Sequence, residues 1–341
     1  MKTTIRDVAE AAGVSAMAVS AVLNGAGRNV KVSQEKAETI RRVARELRYQ
    51  PNHLARSLRS KRTGMVGVVF QHFTGFGEIN PYFPHLLSGV MAALFPADYT
   101  LALCPKLILG DDAGSISDGR FDGVLWCRPD FGEGTLEAIQ NSRVPVVTMH
   151  APPGVVPGVP TFCADNDGAM RSVVAHLVKL GHRRVAFVMD PVNTHTVEGI
   201  ARRDAFLTAC FANGLAPDTL AWNNSYEEMA RYAEPDSPHT ALVCFSDTVA
   251  GEILLACERF GVEVPRDLSV IGFDSTPFCE TTRPRLTSVS QPVERMAFAA
   301  TNHLLALIRE GDEGHPPSPV VSSIYDCGLD LRASTAPPRT R

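Results

Sequence analysis

The first apolar positions, Ile5, Val8, Ala9 and Ala12, fall at i, i+3, i+4 and i+7, which is the spacing of one helical face. Thr4 stands three residues before Asp7, as in a capping box that opens this helix, and Gly13 stops it. Ser15 is placed to cap a second helix, with Val19, Val22 and Leu23 inward and Ala16, Met17, Ser20, Ala21 and Asn24 on the opposite face. A third helix is predicted from a Ser33 cap to about Leu47, with Ile40, Val43, Ala44 and Leu47 apolar and Arg41, Arg42, Arg45 and Arg48 mostly outside. Beyond residue 63 the rhythm changes. Short apolar runs at Val66–Phe70, Leu101–Cys104, Gly123–Trp126, Pro145–Met149, Val185–Met189, Ala241–Phe245 and Val270–Phe273 are predicted as buried strands, with helical patterns between them. That alternation predicts parallel sheets covered by helices.

Two short helices joined by a tight Gly-Val-Ser turn, with a third closing the core, form a helix-turn-helix, whose second helix enters a DNA major groove. A small helical cap on an enzyme is the plainer alternative. The outer face of the second helix argues against it. A solvated helix normally carries Glu and Lys there, whereas this one has no charge and offers small or hydrogen-bonding side chains suited to base edges.

Charge sharpens the division. The chain of 341 residues has a net charge of -4, yet residues 1–62 hold 13 Lys+Arg against 5 Asp+Glu, a net of +8, leaving 20 against 32, or -12, for the rest. A basic head on an acidic body is a candidate polyanion-binding module. The start, MKTTIRDVAEAAG, lacks a signal-peptide core and no run approaches a membrane span, so a cytoplasmic protein without a membrane partner is expected. The eight cysteines are scattered with no C-x-x-C, so reduced thiols are expected, with no metal and no cofactor.

The stretches "TIRDVAEAAGVSAMAVSAVLN" and "VSQEKAETIRRVARELRYQPNHLARSLRS" resemble the lactose-repressor (LacI/GalR) family of bacterial transcription regulators, and the likeness runs through nearly the whole chain. It implies an N-terminal all-α helix-turn-helix domain (1–50), a hinge helix and linker (51–63), and an α/β effector domain (64–341) of two doubly wound, periplasmic-binding-protein-like subdomains. Subdomain one would take about 64–162 and 292–320, and subdomain two about 163–291 and 321–333. The partners implied are double-stranded operator DNA, a small-molecule effector and a second copy of the chain. The DNA-contacting set would be Thr4, Ser15, Ala16, Met17, Ser20, Ala21, Asn24 and Arg28 in the head, with Asn52, His53, Ala55, Arg56, Leu58 and Arg59 in the hinge. There Leu58 matches an apolar wedge for a base step, and a segment too short to fold alone is suited to ordering on DNA. Ala18 and Ala21 replace the family's usual Thr and Arg, so operator sequence does not transfer from relatives.

In the body, "DNDGA", "CFSDTVAGEILLA", "VPRDLSVIGFDS" and "PRLTSVSQP" carry the resemblance. By position, Arg202 matches a ligand-holding arginine and Asp274 a polar ligand contact, with Ser246 and Asp247 on the same rim. A guanidinium and a carboxylate facing each other would suit a hydroxylated or carboxylated metabolite, or would pair and stiffen the cleft. His150 stands where sugar-binding relatives often carry an aspartate, and Tyr226 where some stack an aromatic ring. The loop QHFTGFGEINPYF is expected to wall the cleft, with His72 and Phe73 as contacts. A regulator that has lost ligand control is the nearest alternative; a solute-binding protein would lack the basic head. The enzyme motifs G-x-S-x-G, G-x-x-x-x-G-K-[ST] and H-E-x-x-H do not occur, so no catalysis is expected.

Overall fold

A computed structural model describes residues 3–24, 31–50, 62–70, 81–104, 116–128, 131, 134–222, 236–313 and 320–339, with the side chains of 24, 312 and 313 excepted. The chain divides into two compact units, Met1–Thr63 and Gly64–Arg341.

The first unit contains α1 (Ile5–Ala11), α2 (Ala16–Asn24) and α3 (Gln34–Glu46). Thr4 opens α1 with a reciprocal box: its amide donates to Asp7 Oδ2 at 2.7 Å, and its hydroxyl accepts from the Asp7 amide at 3.4 Å. Ser15 accepts from the Ala18 amide at 3.2 Å to cap α2, and Ser33 accepts from the Lys36 amide at 3.4 Å to cap α3. Val8, Val19 and Ile40, one from each helix, are fully buried against one another with Ala9, Val43 and Ala44. Leu47, expected inside, follows the end of α3 and is exposed; Tyr49 packs on the core instead.

The second unit contains two sheets. The first has the order β11-β5-β4-β3-β1-β2, built from β1 (Met65–Val69), β2 (Thr100–Leu103), β3 (Gly123–Trp126), β4 (Val146–Met149), β5 (Thr161–Ala164) and β11 (Ser323–Tyr325). Every described pairing in it is parallel. The second has the order β12-β10-β9-β8-β6-β7, from β6 (Arg184–Met189), β7 (Ala216–Ala221), β8 (Ala241–Cys244), β9 (Ser269–Asp274), β10 (Thr287–Ser290) and β12 (Gly328–Asp330). Only the β10–β12 pairing is antiparallel among those described.

Helices α4 (Tyr82–Leu94), α5 (Thr135–Gln140), α6 (Asn166–Leu180), α7 (Val197–Ala212), α8 (Asp247–Phe260), α9 (Phe278–Thr281) and α10 (Val293–Glu313) lie between the strands. α4 and α10 share a core with the first sheet, where Leu86, Val90, Leu94, Met296, Ala300 and Leu304 are sealed from solvent. Gly89 makes that approach possible: a Cβ there would strike the Glu294 carbonyl and come within 2.9 Å of Ala297 Cβ. α6 and α7 cover one face of the second sheet around Phe187, Phe206 and Phe273, and α8 covers the other around Leu242, Ile253 and Leu268.

The chain passes between lobes after β5, between β10 and α10, and between β11 and β12. This corrects the boundary expected at 321. Ser323–Tyr325 pairs with Phe162–Ala164 in the first sheet, so the last return to the second lobe lies at 326–327. The reason is that β11, with Ile324 exposed, is a three-residue edge strand, too short to show a period. In each sheet the strand order reverses beside the first strand of the lobe, β1 or β6, and such switch points open crevices at carboxyl ends of strands.

Candidate DNA-reading face and ligand cleft

The exposed face of α2 is uncharged, with Met17 66% exposed and Ala21 half-buried. Ser20 is a correction: expected on that face, it is buried at 4% exposure. It lies one turn after Ala16 and one before Leu23, and that stripe flanks Val19 on the core side, where Ala16 and Leu23 also pack. Asn24 ends α2, but its side chain lies outside the described residues, as do Arg28, Asn52, His53, Ala55, Arg56, Leu58 and Arg59. On α3 and just beyond it, Arg41, Arg45, Arg48, Tyr49 and Gln50 line a groove with Leu23. Cationic side chains therefore border the uncharged helix α2 rather than occupy it, an arrangement compatible with phosphates beside an uncharged face.

In the second unit a cavity of about 230 Å³ opens at the carboxyl ends of the strands of both lobes. Cys127 follows β3, His150 follows β4, Asp190 follows β6, Phe245 and Ser246 follow β8, Asp274 ends β9, and Gln291 follows β10. Tyr82 and Phe83 enter from α4, Glu198 and Arg202 from α7, and Glu252 from α8.

Arg202 is 3% exposed and is held on several sides. Its Nη2 donates to Glu198 Oε1 at 2.6 Å, Nη1 to the Phe245 carbonyl at 2.6 Å, and Nε to Asn166 Oδ1 at 3.2 Å. The guanidinium carbon lies 3.5 Å from the centre of the Phe273 ring and 4.6 Å from that of Phe245. The expected Arg202–Asp274 arrangement is thus corrected. Glu198, four residues earlier on the same helix, supplies the carboxylate, because i and i+4 side chains meet on one helical face. Asp274 instead accepts from Gln291 Nε2 at 2.6 Å. Burial, then the negative charge of Asp247, pushes the Asp274 carboxyl well above the usual range.

Asp247 is a second correction. It is sealed from solvent and is not part of the cavity wall. Its Oδ2 accepts from the Thr276 amide at 2.8 Å and hydroxyl at 3.0 Å, and its Oδ1 from the Ser288 hydroxyl at 2.5 Å. It begins α8 facing inward, so it ties loops together. Ser246 does reach the cavity while capping α8, accepting from the Val249 amide at 3.3 Å.

His150, in the left-handed region at φ 68, is buried, and its Nε2 lies 2.7 Å from the Tyr82 hydroxyl in a hydrogen bond. Burial, with the Arg202 charge next, pushes its pKa down to about 3. The imidazole is neutral at physiological pH. Burial and then Asp274 push the Tyr82 phenol well up, so it too is neutral. His72, Phe73 and Tyr226 lie outside the described residues. Among the described residues, no group of three or more His, Cys, Asp or Glu side chains is placed to hold a metal, and no helix is long and apolar enough to cross a membrane.

The cleft has the strand-end geometry of a binding-protein lobe pair, and residues 174–335 match the periplasmic binding protein-like domain. Residues 4–52 match the bacterial regulatory proteins of the lacI family. Catabolite control protein A of Priestia megaterium is 30% identical over 313 residues, covering 86% of this chain and 89% of that protein. The chain belongs to the LacI family. The HTH-type transcriptional repressor PurR of Glaesserella parasuis is 28% identical over 339 residues, covering 95% of both proteins. The lac repressor dimer, solved bound to operator and an anti-inducer, is 20% identical and superposes with a TM-score of 0.81 over 98% of this chain and all of that one, which supports the shared fold. These LacI-family relatives are transcriptional regulators rather than enzymes.

In this LacI-family chain, Tyr82 and Phe83, the end of the stretch expected to wall the cleft, do line it, whereas Glu198, Asn193 and Glu252 were not among the expected contacts. Glu198 was accessible through its four-residue spacing from Arg202. The others lie in segments whose pattern reports burial but not which strand end they meet.

Proposed function

We propose that this chain is a cytoplasmic repressor that binds a near-palindromic operator as a homodimer and is controlled by a small polar metabolite held in the cleft of the second unit. The observation that supports it most is a wall of buried polar groups that is incompletely partnered: Glu198 Oε2, Asn193 Oδ1 and Gln291 Oε1 are buried with no hydrogen-bond partner among the described residues. A cleft meant only to be stiff gains nothing from such atoms, since each unpaired buried polar group costs about 1–3 kcal/mol. This favours a ligand-controlled regulator over one that reads DNA constitutively.

The relatives support the remainder: PurR is a repressor, catabolite control protein A is a control protein, and the lac repressor was solved as a dimer on operator. In the head, Met17, Ala21 and Asn24 would approach base edges, with Thr4, Ser15 and Ala16 at the helix starts and Arg28 beside them. Asn52, His53, Ala55, Arg56, Leu58 and Arg59 would form the hinge contact, with Leu58 the wedge. Domain limits follow at 1–50, 51–63 and 64–341. A ligand acts only through its differential affinity for two cleft states, so its effect on operator affinity must equal the operator's effect on ligand affinity. Selection of bound fragments from genomic DNA, followed by anisotropy on the selected site, tests the reading. A two-fold-symmetric site bound by a dimer is the expected result; absence of any preferred sequence, or binding as a monomer, overturns it.

A further inference from the structure

The described wall of the cleft is unbalanced in two separate ways. Its carboxylates are Asp190, Glu198, Glu252 and Asp274, and its one described cation is Arg202. Arg202 neutralises Glu198 and spends three of its five N–H donors on protein atoms. The other three carboxylates have neutral described partners. Asp190 accepts from the Asn193 amide and side chain, Glu252 from the Trp222 indole at 2.6 Å, and Asp274 from Gln291. His150 is neutral and adds no charge.

The second imbalance is in hydrogen bonding. The wall atoms without any hydrogen-bond partner among the described residues, on Glu198, Asn193 and Gln291, are all acceptors, whereas each nitrogen of Arg202 already donates to a protein oxygen. Glu198 and Gln291 are 3% and 9% exposed, so water reaches these side chains poorly. The two amides cannot easily turn their N–H groups toward a ligand, because each already donates to a carboxylate, Asn193 Nδ2 to Asp190 Oδ2 at 2.7 Å and Gln291 Nε2 to Asp274.

We infer that the cleft takes a cation: a small hydroxylated molecule whose recognition group is a protonated amine, set against Asp274, Glu198 and Gln291. The inference rests on the cleft being the regulatory site. A sugar acid would add a further carboxylate beside Asp190, Glu252 and Asp274 and no donors at that group. A neutral sugar would satisfy the orphaned acceptors but leave the charge. An ammonium group does both, since it has three donors and a positive charge, and the rings of Tyr82, Phe83 and Phe245 in the wall add the faces that attract cations. Asp274 fits the same account. Burial pushes its carboxyl up, and a cation beside it favours the ionised form.

The test uses the full-length protein at pH 7 and three matched sets: glucosamine, glucose and glucuronate; galactosamine, galactose and galacturonate; putrescine, butanediol and succinate. Each is titrated calorimetrically and by the thermal midpoint of the second unit. The expected result is that in at least one set the amine binds about tenfold or more tighter than its neutral member, with no binding by the acid. Gln291→Leu, which leaves the Arg202–Glu198 pair intact, then reduces amine affinity by about the same factor. A neutral or acidic ligand that binds tighter than every amine, or no binding by any of the nine, overturns the inference. Operator anisotropy separates the two claims: release of DNA by a sugar or an acid keeps the regulator and discards the cation, whereas failure to bind any DNA site discards the regulator.

Discussion

Two buried carboxylates about the same second lobe show what separates scaffold from site. Asp247, behind the start of α8, is enclosed by donors that match its acceptors: Thr276 through amide and hydroxyl, and Ser288 through its hydroxyl. Gly272 leaves the room for it, because a Cβ there would collide with Asp247 Oδ1. Burial pushes its carboxyl up and those hydrogen bonds pull it back. Glu198, on the cleft side of α7, is as deeply buried, yet only Oε1 is engaged, by Arg202 and by Asn166 Nδ2 at 3.2 Å. Its other oxygen has no partner among the described residues. Equal burial with unequal satisfaction is the difference: a group completed by its own chain holds the fold together, and one left incomplete is available to something else.

The largest effect should come from breaking the cleft pair. Arg202→Ala leaves Glu198 as a buried, uncompensated charge, and removing one partner of such a pair costs about 3–5 kcal/mol. The expected outcome is a strong fall in the urea midpoint of the Gly64–Arg341 unit, with ligand response lost as a consequence. An unchanged midpoint would mean that Arg202 is poised for ligand alone, and the contrast with Asp247 would collapse.

Asp247→Asn should come next. It keeps one acceptor oxygen but turns an N–H toward hydroxyl or amide donors, leaving a buried mismatch that costs about 1–3 kcal/mol. Here stability falls while the affinity of any cleft ligand stays within about twofold of the parent in calorimetry, because Asp247 is not part of the cavity wall. Ligand affinity falling more than stability would place Asp247 back in the site.

Acid provides a third probe. His150 has a folded pKa of about 3 against an ordinary value of 6.5. Above the ordinary value both folded and unfolded chains hold it neutral and its contribution is complete. As pH falls below about 6.5 the unfolded chain takes up a proton that the folded one refuses, so stability declines by on the order of 1 kcal/mol per pH unit toward 3. His182, buried between Thr240 and the Ala336 carbonyl, is pushed down as well and adds a loss of the same sign. Asp274, pushed up, acts oppositely, since its extra proton favours the folded state until pH rises through its own raised value. Thermal midpoints from pH 7 to 5 should therefore drop less steeply in His150→Gln than in the parent. An identical slope would show that His150 is protonated in the folded cleft.

Much of this was legible in the sequence where a local pattern carries it. The caps at Thr4, Ser15 and Ser33 need only three-residue spacings, and the central strands β3 and β8 are continuous apolar runs that alternate with helices. Less legible were the edges. β7 is largely exposed, and β11 and β12 are three-residue strands that pair with partners more than thirty residues away in sequence. The partner of Arg202 was misassigned for a related reason. Resemblance supplies positions, but whether Asp274 or Glu198 reaches the guanidinium depends on the meeting of α7 and β9, which no spacing encodes. Ser20 was misplaced because a nine-residue helix offers two turns of pattern, and a polar residue at the border of the apolar arc reads as outside.

Ser246 lies between the two carboxylate regions and gives the finest test of their separation. Its hydroxyl accepts from the Val249 amide to cap α8, its side chain is buried in the cavity wall, and the next residue is Asp247. If its role is that of a cap, Ser246→Ala should cost about 1 kcal/mol and Ser246→Gly only a few tenths, since glycine is tolerated at a helix start where alanine is not. Cleft affinity should be the same in both variants, because neither changes the acceptors on Glu198, Asn193 or Gln291. A role in ligand binding gives a different order: alanine and glycine, which both lack the hydroxyl, would lose affinity equally while differing in stability. Paired melting curves and calorimetric titrations of the two variants therefore decide to which region Ser246 belongs, and a loss of affinity common to both would extend the incomplete wall of the cleft to the first turn of α8.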